Sequence, residues 1–365
     1  MKGGLERVRE KITVLITGGG SPGIAGTIYS LRNNPDSVNV RVVTCDMRDN
    51  VVGKYLADAF YVVRQAQHSE FINDVLEICE KEDVDVILPQ VTNELSVFAK
   101  FKETLELQGV KVAVSDASSI EMANDKWVIL DVANACGVPS PNSRLTSSEG
   151  EFVKAVLELG YPKNKVVVKP RVSNGSRGLR ILSSESWDVE KFLKEKPDAT
   201  EMNLEELLRI LRNGKWPDLI VQEYLPGEEY TVDVFRGKSG TLAVPRLREE
   251  IRSGISFKAK VEPRKDLIDF STRLAEALNL KYAFGFQFKI SSEGTPKLLE
   301  CNPRIQGTMV VSSLAGYNMI WWTVKELLEE NFEVPTLEKS SENMRFIRYW
   351  GGIGVFEDGT KIGPI

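Results

Sequence analysis

The sequence predicts an α/β fold for the first third of the chain and an α+β fold for the remainder. Up to about residue 117, short runs rich in Val, Ile and Leu alternate with helix-like stretches. Continuous apolar strands between helices are typical of a parallel sheet that is covered on both faces. Further along, a strand–turn–strand pattern at 166–182 and a strictly alternating strand at 282–290 indicate hairpins.

The composition is that of a globular enzyme. The chain has 365 residues, 42% hydrophobic content and a formal charge of -5. This length predicts two or three domains, and the mildly acidic balance argues against nucleic acid or an anionic membrane as a partner. The start, MKGGLERVREKI, is too polar for a signal peptide, and the apolar stretch 309–322 is too short and polar to span a membrane. We therefore expect a cytoplasmic protein.

The cysteines and the single histidine exclude several kinds of site. None of the four cysteines forms a C-x-x-C pair, so we expect free thiols in a reducing compartment. His68 is the only histidine. Catalytic triads that depend on histidine, and metal sites with several histidines, are therefore excluded.

The first third of the chain is predicted to be a Rossmann-like unit. Its four strands are expected at 12–17, 40–45, 84–88 and 110–114. The glycine-rich turn 18–23 follows the first strand and fits G-x-G-x-x-G, and Asp46 follows the second strand. One interpretation of these two features is an NAD-dependent oxidoreductase, in which Asp46 would bind a ribose.

A boundary at 115–118 separates this unit from the rest of the chain. Ser118 and Glu121 fit a capping box, which predicts a helix over 118–136. A second helix is expected at 266–280, where apolar residues form one stripe. The last predicted hairpin follows it, with strands at 282–290 and 297–302.

That hairpin carries the strongest candidate for a metal site. Aromatic residues occupy alternate positions of its first strand, which places Gln287 on the opposite face. If Ile290 pairs with Thr295 across the turn, Glu300 and Asn302 lie on the same face as Gln287. Such oxygen donors suit Mg²⁺, which takes one or two carboxylates and completes its shell with water and phosphates. An ordinary half-exposed hairpin is the alternative.

A lysine followed by a glycine-rich turn is the second candidate feature. Lys169 ends an apolar strand, and the segment 171–180 that follows includes Ser176 and Gly178. Turns of this kind expose backbone N–H groups that can hold phosphates, while a lysine supplies a point charge. A plain hairpin loop is the alternative. Lys126 is a second candidate lysine. The alternative is that it is an ordinary lysine near the start of a helix.

The segment 221–234 reads as a strand that is interrupted by a Leu-Pro-Gly turn. The backbone at Glu223, Tyr224 and Leu225 is suited to hold the edge of an adenine, and Glu229 to bind ribose hydroxyls. An edge strand with a turn is the alternative.

In this order, the motifs resemble the ATP-grasp superfamily. The matching segments are Asn124-Asp125-Lys126, Val168-Lys169-Pro170 with its glycine-rich loop, 222–230, and Gln287 with Glu300-Cys301-Asn302-Pro303-Arg304. The last motif is most similar to the large subunit of carbamoyl phosphate synthase. The resemblance implies a Rossmann-like pre-ATP-grasp domain followed by a two-lobed ATP-grasp fold. The three expected domains are 1–117, a small lobe at 118–222 and a large lobe with the metal site at 223–365.

The resemblance also implies a role for each candidate residue. ATP would contact Lys126, Lys169, Ser176, Gly178, Glu223, Tyr224, Leu225 and Glu229. Magnesium would be held by Gln287, Glu300 and Asn302. Arg304 would steady the γ-phosphate and the acyl phosphate at the catalytic end. Arg246, Arg248 and Lys258 are weaker candidates for catalysis at the substrate end. Gly20 and Ser21 would face the substrate.

The implied function is that of an ATP- and Mg²⁺-dependent carboxylate–amine ligase, or a carboxylate–thiol ligase. The carboxylate becomes an acyl phosphate, which the nucleophile then attacks; the resemblance leaves both molecules open. One or two Mg²⁺ ions, replaceable by Mn²⁺, and a homodimer are also implied. The chain carries one ATP-grasp unit, whereas the synthase subunit contains two. The alternatives are phosphorylation of bicarbonate or carbamate as in that synthase, an NAD-dependent oxidoreductase, and a non-catalytic ATP-binding module.

Overall fold

The computed structural model describes residues 11–186, 188–195, 200–338 and 344–364. The charged start that argues against a signal peptide falls almost wholly in residues 1–10, outside the described residues. Within the described part of the chain, no helix is long and apolar enough to cross a membrane.

The chain forms two compact units. Unit 1 contains the residues up to Glu121, Tyr230–Phe286 and the residues from Cys301 onward. Unit 2 contains Met122–Glu229 and Gln287–Glu300. The division into three domains at residues 117 and 222 stays a prediction.

The helices are α1 (Ile24–Arg32), α2 (Gly53–Leu56), α3 (Phe71–Glu82), α4 (Thr92–Leu107), α5 (Ala117–Asn124), α6 (Val128–Ala135), α7 (Glu149–Glu158), α8 (Val189–Lys194), α9 (Leu204–Leu211), α10 (Lys265–Ala277), α11 (Val310–Leu314) and α12 (Met319–Leu327). The strands are β1 (Lys11–Thr17), β2 (Asn39–Asp46), β3 (Ala59–Val62), β4 (Val86–Leu88), β5 (Lys111–Val112), β6 (Ser143–Thr146), β7 (Val166–Pro170), β8 (Arg180–Leu182), β9 (Glu201–Met202), β10 (Leu219–Glu223), β11 (Glu229–Gly237), β12 (Gly240–Arg252), β13 (Ile255–Val261), β14 (Tyr282–Ile290), β15 (Pro296–Asn302), β16 (Arg345–Ile347), β17 (Gly354–Val355) and β18 (Lys361–Ile362).

A parallel sheet forms the N-terminal part of unit 1. Its strand order is β3-β2-β1-β4-β5, and each neighbouring pair is parallel. The four predicted strands are confirmed as β1, β2, β4 and β5. The edge strand β3 was not predicted; it is only four residues long, and its side chains are half-buried or exposed.

The order of this sheet reverses at β1, which lies between β2 and β4. In open α/β sheets, ligands bind outside the carboxyl ends of the strands at such a reversal. Thr17 ends β1, Asp46 ends β2, and Gln90 comes two residues after β4. These residues are therefore placed where the fold class predicts a ligand.

The long strands β11 to β15 belong to a six-stranded sheet with the order β15-β14-β11-β12-β13-β16. The chain passes from unit 1 to unit 2 within β14 and returns within β15. In unit 1, one buried cluster joins Val14 and Ile28 of the N-terminal region to Phe235, Met309 and Trp321. The N-terminal sheet and the C-terminal helices of unit 1 thus share a core.

Unit 2 is built on the five-stranded sheet β6-β10-β7-β8-β9. The predicted hairpin is confirmed, because β7 and β8 are antiparallel with Val166 opposite Leu182. The charged stretch 185–215 contains α8, β9 and α9. Within that stretch, Trp187 and residues 196–199 lie outside the described residues.

The helix predicted over 118–136 is two helices, α5 and α6. The break occurs because the Asp125 side chain accepts hydrogen bonds from the backbone N–H groups of Trp127 and Val128, at 2.9 and 3.2 Å. A carboxylate that accepts from these N–H groups favours a new helix start.

Candidate active site

The turn between β14 and β15 closes one residue later than expected. The Ser291 N–H donates to the Thr295 carbonyl oxygen at 2.9 Å, so Ser291, rather than Ile290, faces Thr295. A shift of one residue alone would move Glu300 to the buried face. Two consecutive residues, Leu299 and Glu300, are half-buried in a strand that alternates before them. The alternation therefore changes phase there, and Glu300 remains on the accessible side.

The predicted metal ligands lie at accessible positions of their strands. Phe286 and Phe288 are fully buried, whereas Gln287 and Lys289 are half-buried, so the expected alternation of β14 holds over 286–289; residues 283–286 are all buried. Gln287 and Glu300 belong to unit 2, and Asn302, which is also half-buried, belongs to unit 1. Within unit 2, the Glu300 carboxylate and the Gln287 amide are oxygen donors of the kind that suits Mg²⁺. Their role as ligands stays a prediction.

Two lysines of unit 2 reach β15 beside the Glu300 carboxylate. Lys169 Nζ donates to the Leu299 carbonyl oxygen at 3.0 Å, and Lys126 Nζ lies 3.8 Å from Glu300 Oε2. Lys169 is only 6% exposed. Burial lowers its pKa to about 8; Glu300 opposes this change and Lys126 adds to it. A buried ammonium with so little compensation attracts an anion.

Lys126 is positioned by its neighbour Asp125. Arg171 Nε donates to Asp125 Oδ2 at 2.8 Å, and the Lys126 N–H donates to the Arg171 carbonyl oxygen at 3.0 Å. The Lys126 side chain also donates to the carbonyl oxygen of Ser173, in the glycine-rich loop. The Asn-Asp-Lys motif thus anchors the start of this loop and places a cation beside it.

The glycine-rich loop presents unused backbone donors. Ser176 and Gly178 have φ angles of +58° and +76°, in the left-handed region, and both are exposed. Their N–H groups donate no hydrogen bond within the described residues, whereas the Arg177 N–H between them donates to Asn174. Backbone N–H groups in a left-handed turn can bind an anion.

The linker after β10 is held against β14 within unit 2. The Gly227 N–H donates to the Ile290 carbonyl oxygen at 3.0 Å, and the Ile290 N–H donates to Glu228 at 2.9 Å. A Cβ on Gly227 would lie 2.7 Å from Ile290, so only glycine fits. The Leu225 side chain is buried, and its N–H donates to no described residue. This free donor is suited to the edge of an adenine.

The two acidic residues of the linker have protein partners. Glu223 Oε1 accepts from Lys297 Nζ at 2.6 Å and from the Asn142 N–H at 2.8 Å, so the Glu223 side chain is structural. Glu229 lies 3.9 Å from Lys289 Nζ. Tyr224 between them is half-buried. The predicted adenine contact therefore depends on the backbone of this segment.

In unit 1, Arg304 is oriented by three contacts. Its Nε donates to Thr92 Oγ1 at 2.9 Å, its Nη1 to the Ile305 carbonyl oxygen at 3.1 Å, and its Nη2 to Asn302 Oδ1 at 3.4 Å. Thr92 begins α4, at the carboxyl edge of the parallel sheet. A predicted catalytic residue and a predicted metal ligand are thus joined directly.

Arg246 is part of the buried scaffold of unit 1. It is 1% exposed and forms two hydrogen bonds with Asp233, of 2.7 and 2.8 Å. Asp233 also accepts from Gln306 Nε2 at 3.2 Å and from Ser312 Oγ at 2.6 Å. A guanidinium with two of its donors on one buried carboxylate is a structural element, and a role for Arg246 at the substrate end stays a prediction.

The other two predicted cations are engaged by their own hairpin. Arg248 Nε donates to Ser256 Oγ at 3.0 Å, and its Nη2 donates to the Gly254 carbonyl oxygen at 2.6 Å. Lys258 Nζ lies 2.9 Å from Glu250 Oε2 and its side chain is half exposed. The β12–β13 pairing places Glu250 opposite Lys258, which explains this ion pair. A catalytic role for Arg248 and Lys258 stays a prediction.

The glycine-rich turn after β1 is closed by Asp46. Its Oδ2 accepts from the Gly20 N–H at 2.8 Å, and its Oδ1 accepts from the Arg48 N–H at 3.0 Å. In a dinucleotide site, the N–H groups of this turn face a pyrophosphate, and the acidic residue faces a ribose. Here the carboxylate takes the N–H itself, which disfavours the NAD interpretation.

Ser21 belongs to a chain of polar contacts that ends in a buried acid. Ser21 Oγ donates to Gln90 Oε1 at 3.0 Å, the Gln90 N–H donates to Thr17 Oγ1 at 3.3 Å, and the Thr17 hydroxyl donates to Glu94 Oε2. Glu94 is 9% exposed. Burial raises the pKa of its carboxyl to about 7, and the Thr17 hydroxyl opposes this rise.

Glu94 escaped the sequence analysis because its surroundings are not local. It lies in the first turn of α4, where an acidic residue is ordinarily a solvated contributor to helix stability. Its burial depends on Thr17, which is 77 residues away. The only available indication was the position of Glu94 shortly after a predicted strand of a parallel sheet.

Close packing of glycines brings the turn after β1 to the segment that carries Arg304. A Cβ on Gly23 would lie 2.8 Å from the Gly307 Cα, and a Cβ on Gly26 would lie 2.9 Å from Val310. Both predicted parts of the substrate end, the 20–21 turn and the region around Arg304, therefore meet in unit 1.

Two family models match separate parts of the chain. Residues 215–348 match a model described as "ATP-grasp in the biosynthetic pathway with Ter operon", and residues 14–113 match one described as "PylC-like, N-terminal domain". Among solved structures, N5-carboxyaminoimidazole synthetase from Staphylococcus aureus, complexed with ADP, is similar with a TM-score of 0.66 and 17% identity, over 90% of this chain and 79% of that one. The chain has the ATP-grasp fold. Biotin carboxylase from Campylobacter jejuni is equally similar, with a TM-score of 0.66 and 18% identity, over 91% of this chain and 73% of that one.

Curated relatives include the carbamoyl phosphate synthase large chain from Clostridium acetobutylicum, with 23% identity over 83% of this chain. The arginine-specific large chain from Halalkalibacterium halodurans is 23% identical over 81% of this chain. Each alignment covers 26% of the relative, so the chain spans about a quarter of their length. The predicted fold class and the predicted resemblance to an ATP-grasp unit of that subunit are confirmed.

Proposed function

We propose that this chain is an ATP- and Mg²⁺-dependent ligase, which activates a carboxylate as an acyl phosphate for attack by an amine. The observation that carries the proposal is the approach of Lys126 and Lys169 to Leu299 and Glu300 in unit 2. Two cations with little exposure beside a carboxylate are suited to bind a metal-complexed polyphosphate. The ATP-grasp fold supports the nucleotide, since structures that share it were solved with ADP and MgADP.

In this proposal, unit 2 binds the nucleotide. The free N–H of Leu225 holds the adenine edge, and Glu229 holds the ribose. The free N–H groups of Ser176 and Gly178 hold phosphate oxygens, and their loop excludes water from the reaction. Because Lys169 is buried, its charge acts on the phosphates with little screening by solvent.

The metal and the arginine complete the proposed chemistry. Gln287, Glu300 and Asn302 would hold Mg²⁺, which when bound neutralises charge on the transferring phosphoryl group. Arg304, already oriented by Thr92, stabilises the charge that develops as the acid is phosphorylated and as the phosphate later leaves. No protein nucleophile takes part, in agreement with the absence of a histidine triad.

Bicarbonate or carbamate is the second candidate for the acid. It is favoured by the curated relatives, which are carbamoyl phosphate synthase large chains. It is also favoured by a similar structure, the biotin carboxylase domain of Hydrogenobacter thermophilus 2-oxoglutarate carboxylase, which was solved with bicarbonate. Since bicarbonate is itself a carboxylate-like acid, the same residues would serve it.

The compartment and the assembly are also proposals. Four free cysteines, three of them buried, support a reducing compartment such as the cytoplasm. The biotin carboxylase domain of the Hydrogenobacter enzyme was solved as a dimer, which supports a homodimer for this chain. Sedimentation at micromolar concentration would show a single species of twice the chain mass.

The test is release of ADP and phosphate from Mg-ATP. The pure chain is incubated with pooled carboxylic acids, or with bicarbonate alone, in the presence and absence of pooled primary amines. We expect release that depends on an acid and increases with an amine. ATP binding without release under any condition would support the non-catalytic module, and saturable NADH binding would support the oxidoreductase.

A further inference from the structure

The carboxyl edge of the parallel sheet in unit 1 contains a buried cluster of polar side chains, which we call the switch-point pocket because ligands bind at such an edge in this fold class. It consists of Thr17, Ser21, Gln90 and Glu94, which the hydrogen bonds described above connect. Its floor is buried, since Gln90 and Glu94 are 5% and 9% exposed, and Ser21 at its rim is half-buried. Arg304 is electrostatically coupled to Glu94, which places the pocket beside the proposed site of acid activation.

Among the described residues Glu94 forms no ion pair, although the Arg304 charge acts on it from beyond ion-pair distance and lowers its pKa. Its Oε2 accepts from the Thr17 hydroxyl, while Oε1 accepts no hydrogen bond from a described residue, and no cation of the described residues forms an ion pair with Glu94. The donors of Arg304 are directed at Thr92, Ile305 and Asn302. Buried glutamates are rare unless they are paired. The missing partner is therefore expected to come from a ligand.

The chemistry of the pocket selects the kind of ligand. A carboxylate with one free oxygen binds a group that is both cationic and a hydrogen-bond donor, and a primary ammonium is such a group. A thiolate would be repelled by the Glu94 carboxylate and by the nearby Asp46, which also raises the pKa of Glu94. A neutral thiol would leave the buried carboxylate without a charged partner.

Resting on the ligase function proposed above, we propose that the switch-point pocket binds the ammonium group of the acceptor amine, and that Glu94 removes a proton from it. The Ser21 hydroxyl and the Gln90 side chain line the pocket beside the ammonium. The acceptor is thereby assigned to the amines, and the thiol alternative is set aside.

The proposed step balances in atoms and charge. Glu94 carboxylate takes one proton from the ammonium, which frees the nitrogen lone pair. The nitrogen forms a bond to the acyl carbon, and the bond from that carbon to the phosphate oxygen breaks with its electron pair on oxygen. A second proton of the amine passes to the departing phosphate. The products are an amide, hydrogen phosphate and protonated Glu94. The pKa of about 7 for Glu94 suits a base that works near neutral pH.

The test separates activation of the acid from use of the amine. Wild type and Glu94→Gln are supplied with Mg-ATP and the acid pool, together with either hydroxylamine or the twenty standard amino acids and diaminoalkanes. Hydroxylamine is largely neutral at pH 7, so its attack needs no base. Hydroxamate reports formation of the acyl phosphate, and amide formation is followed by mass spectrometry. Glu103→Gln, an exposed position of the same helix, is the matched control.

We expect Glu94→Gln to lower amide formation by about 100-fold, a typical loss for a general base, with hydroxamate formation within about twofold of wild type. The loss should shrink for weakly basic amines such as trifluoroethylamine, which are already neutral. Unchanged amide formation, or equal losses of amide and hydroxamate, would overturn the inference. If Glu94→Gln fails to fold, Glu94→Asp carries the same comparison, with a larger loss for strongly basic amines than for weakly basic ones.

The same experiment distinguishes this inference from the proposed function. Wild type that forms neither hydroxamate nor ADP with any acid, including bicarbonate, contradicts the ligase function, and the inference falls with it. Wild type that forms hydroxamate while Glu94→Gln uses amines normally contradicts the inference alone.

Discussion

The candidate residues of unit 2 and those of unit 1 are assembled in different ways. In unit 2, the cations Lys126 and Lys169 stand in short motifs, and each reaches a neighbouring strand or loop of the same unit. In unit 1, Thr17, Glu94 and Arg304 come from three distant segments and meet at a sheet edge. The nucleotide end is therefore built from local patterns, whereas the substrate end is built from long-range contacts.

This difference teaches which part of the molecule a sequence can reveal. Where a function needs charges on a strand or in a turn, the residue types and their spacing already indicate it. Where a function needs a buried carboxylate that forms no ion pair, the essential property is the environment of that carboxylate. The spacing of residues in the sequence does not encode this environment. Variants in the two units should accordingly differ in what they change.

The largest expected effect tests the scaffold of unit 1. Arg246→Met should lower the free energy of unfolding by about 3–5 kcal/mol, because it leaves the Asp233 carboxylate buried without its cation. Arg209→Met, at an exposed position of α9 in unit 2, should stay within about 0.5 kcal/mol of wild type. Urea unfolding measures both.

A second variant sharpens this result. Removing both charges, in Asp233→Asn with Arg246→Met, should cost less than Arg246→Met alone, because no unpaired charge remains. If Arg246→Met is no more destabilising than Arg209→Met, the buried pair does not organise unit 1.

The next effect tests the metal assignment in unit 2. Glu300→Gln should lower ATP turnover by about 10²–10³-fold, the loss expected when a charge-stabilising group is removed from a reaction centre, without lowering the thermal unfolding midpoint. Glu293→Gln, in the exposed turn of the same hairpin, is the control and should turn over ATP normally. Turnover like that of wild type in Glu300→Gln would refute the role of this carboxylate.

The smallest effect concerns the pH dependence of stability in unit 1. Because the pKa of Glu94 is about 7 in the folded chain and near 4.5 in the unfolded chain, the folded state holds the proton more tightly. Protonation of Glu94 therefore adds to the free energy of unfolding. This stabilisation is fully present below pH 4.5 and is lost as pH rises towards 7, by up to about 3 kcal/mol.

Urea unfolding of wild type and Glu94→Gln between pH 5 and pH 8 measures this dependence. The stability of wild type relative to Glu94→Gln should fall as pH rises, while Glu103→Gln should follow wild type at every pH. Parallel pH profiles for wild type and Glu94→Gln would show that Glu94 does not titrate near neutrality.

Much of the fold and part of the site could be predicted from the sequence. The strand Tyr282–Ile290 and the β7–β8 hairpin follow from alternation and turn residues, and the accessible position of Glu300 was expected. The register behind that position was wrong, because the turn closes at Ser291 and the phase change at Leu299 compensates. The turn closure leaves no pattern in the sequence, since it depends on a backbone hydrogen bond.

Other side chains were assigned by type and then placed differently by their partners. Asp46 has the residue type and position for a ribose, but its carboxylate is held by the Gly20 N–H. Arg246 has the charge for a substrate anion, but Asp233 takes two of its donors in the core. A charge in a sequence is available for any partner, and only the fold selects one.

The sequence by itself determined the strands, the helices and the chemical types at the nucleotide end, because apolar periodicity, glycine turns and local charges depend on neighbours in the chain. The tertiary structure alone decided that Glu94 is buried, accepts a hydrogen bond from Thr17 and lies in the electrostatic field of Arg304. Desolvation depends on everything that surrounds a group, and Thr17, which donates to Glu94, is 77 residues away in the chain.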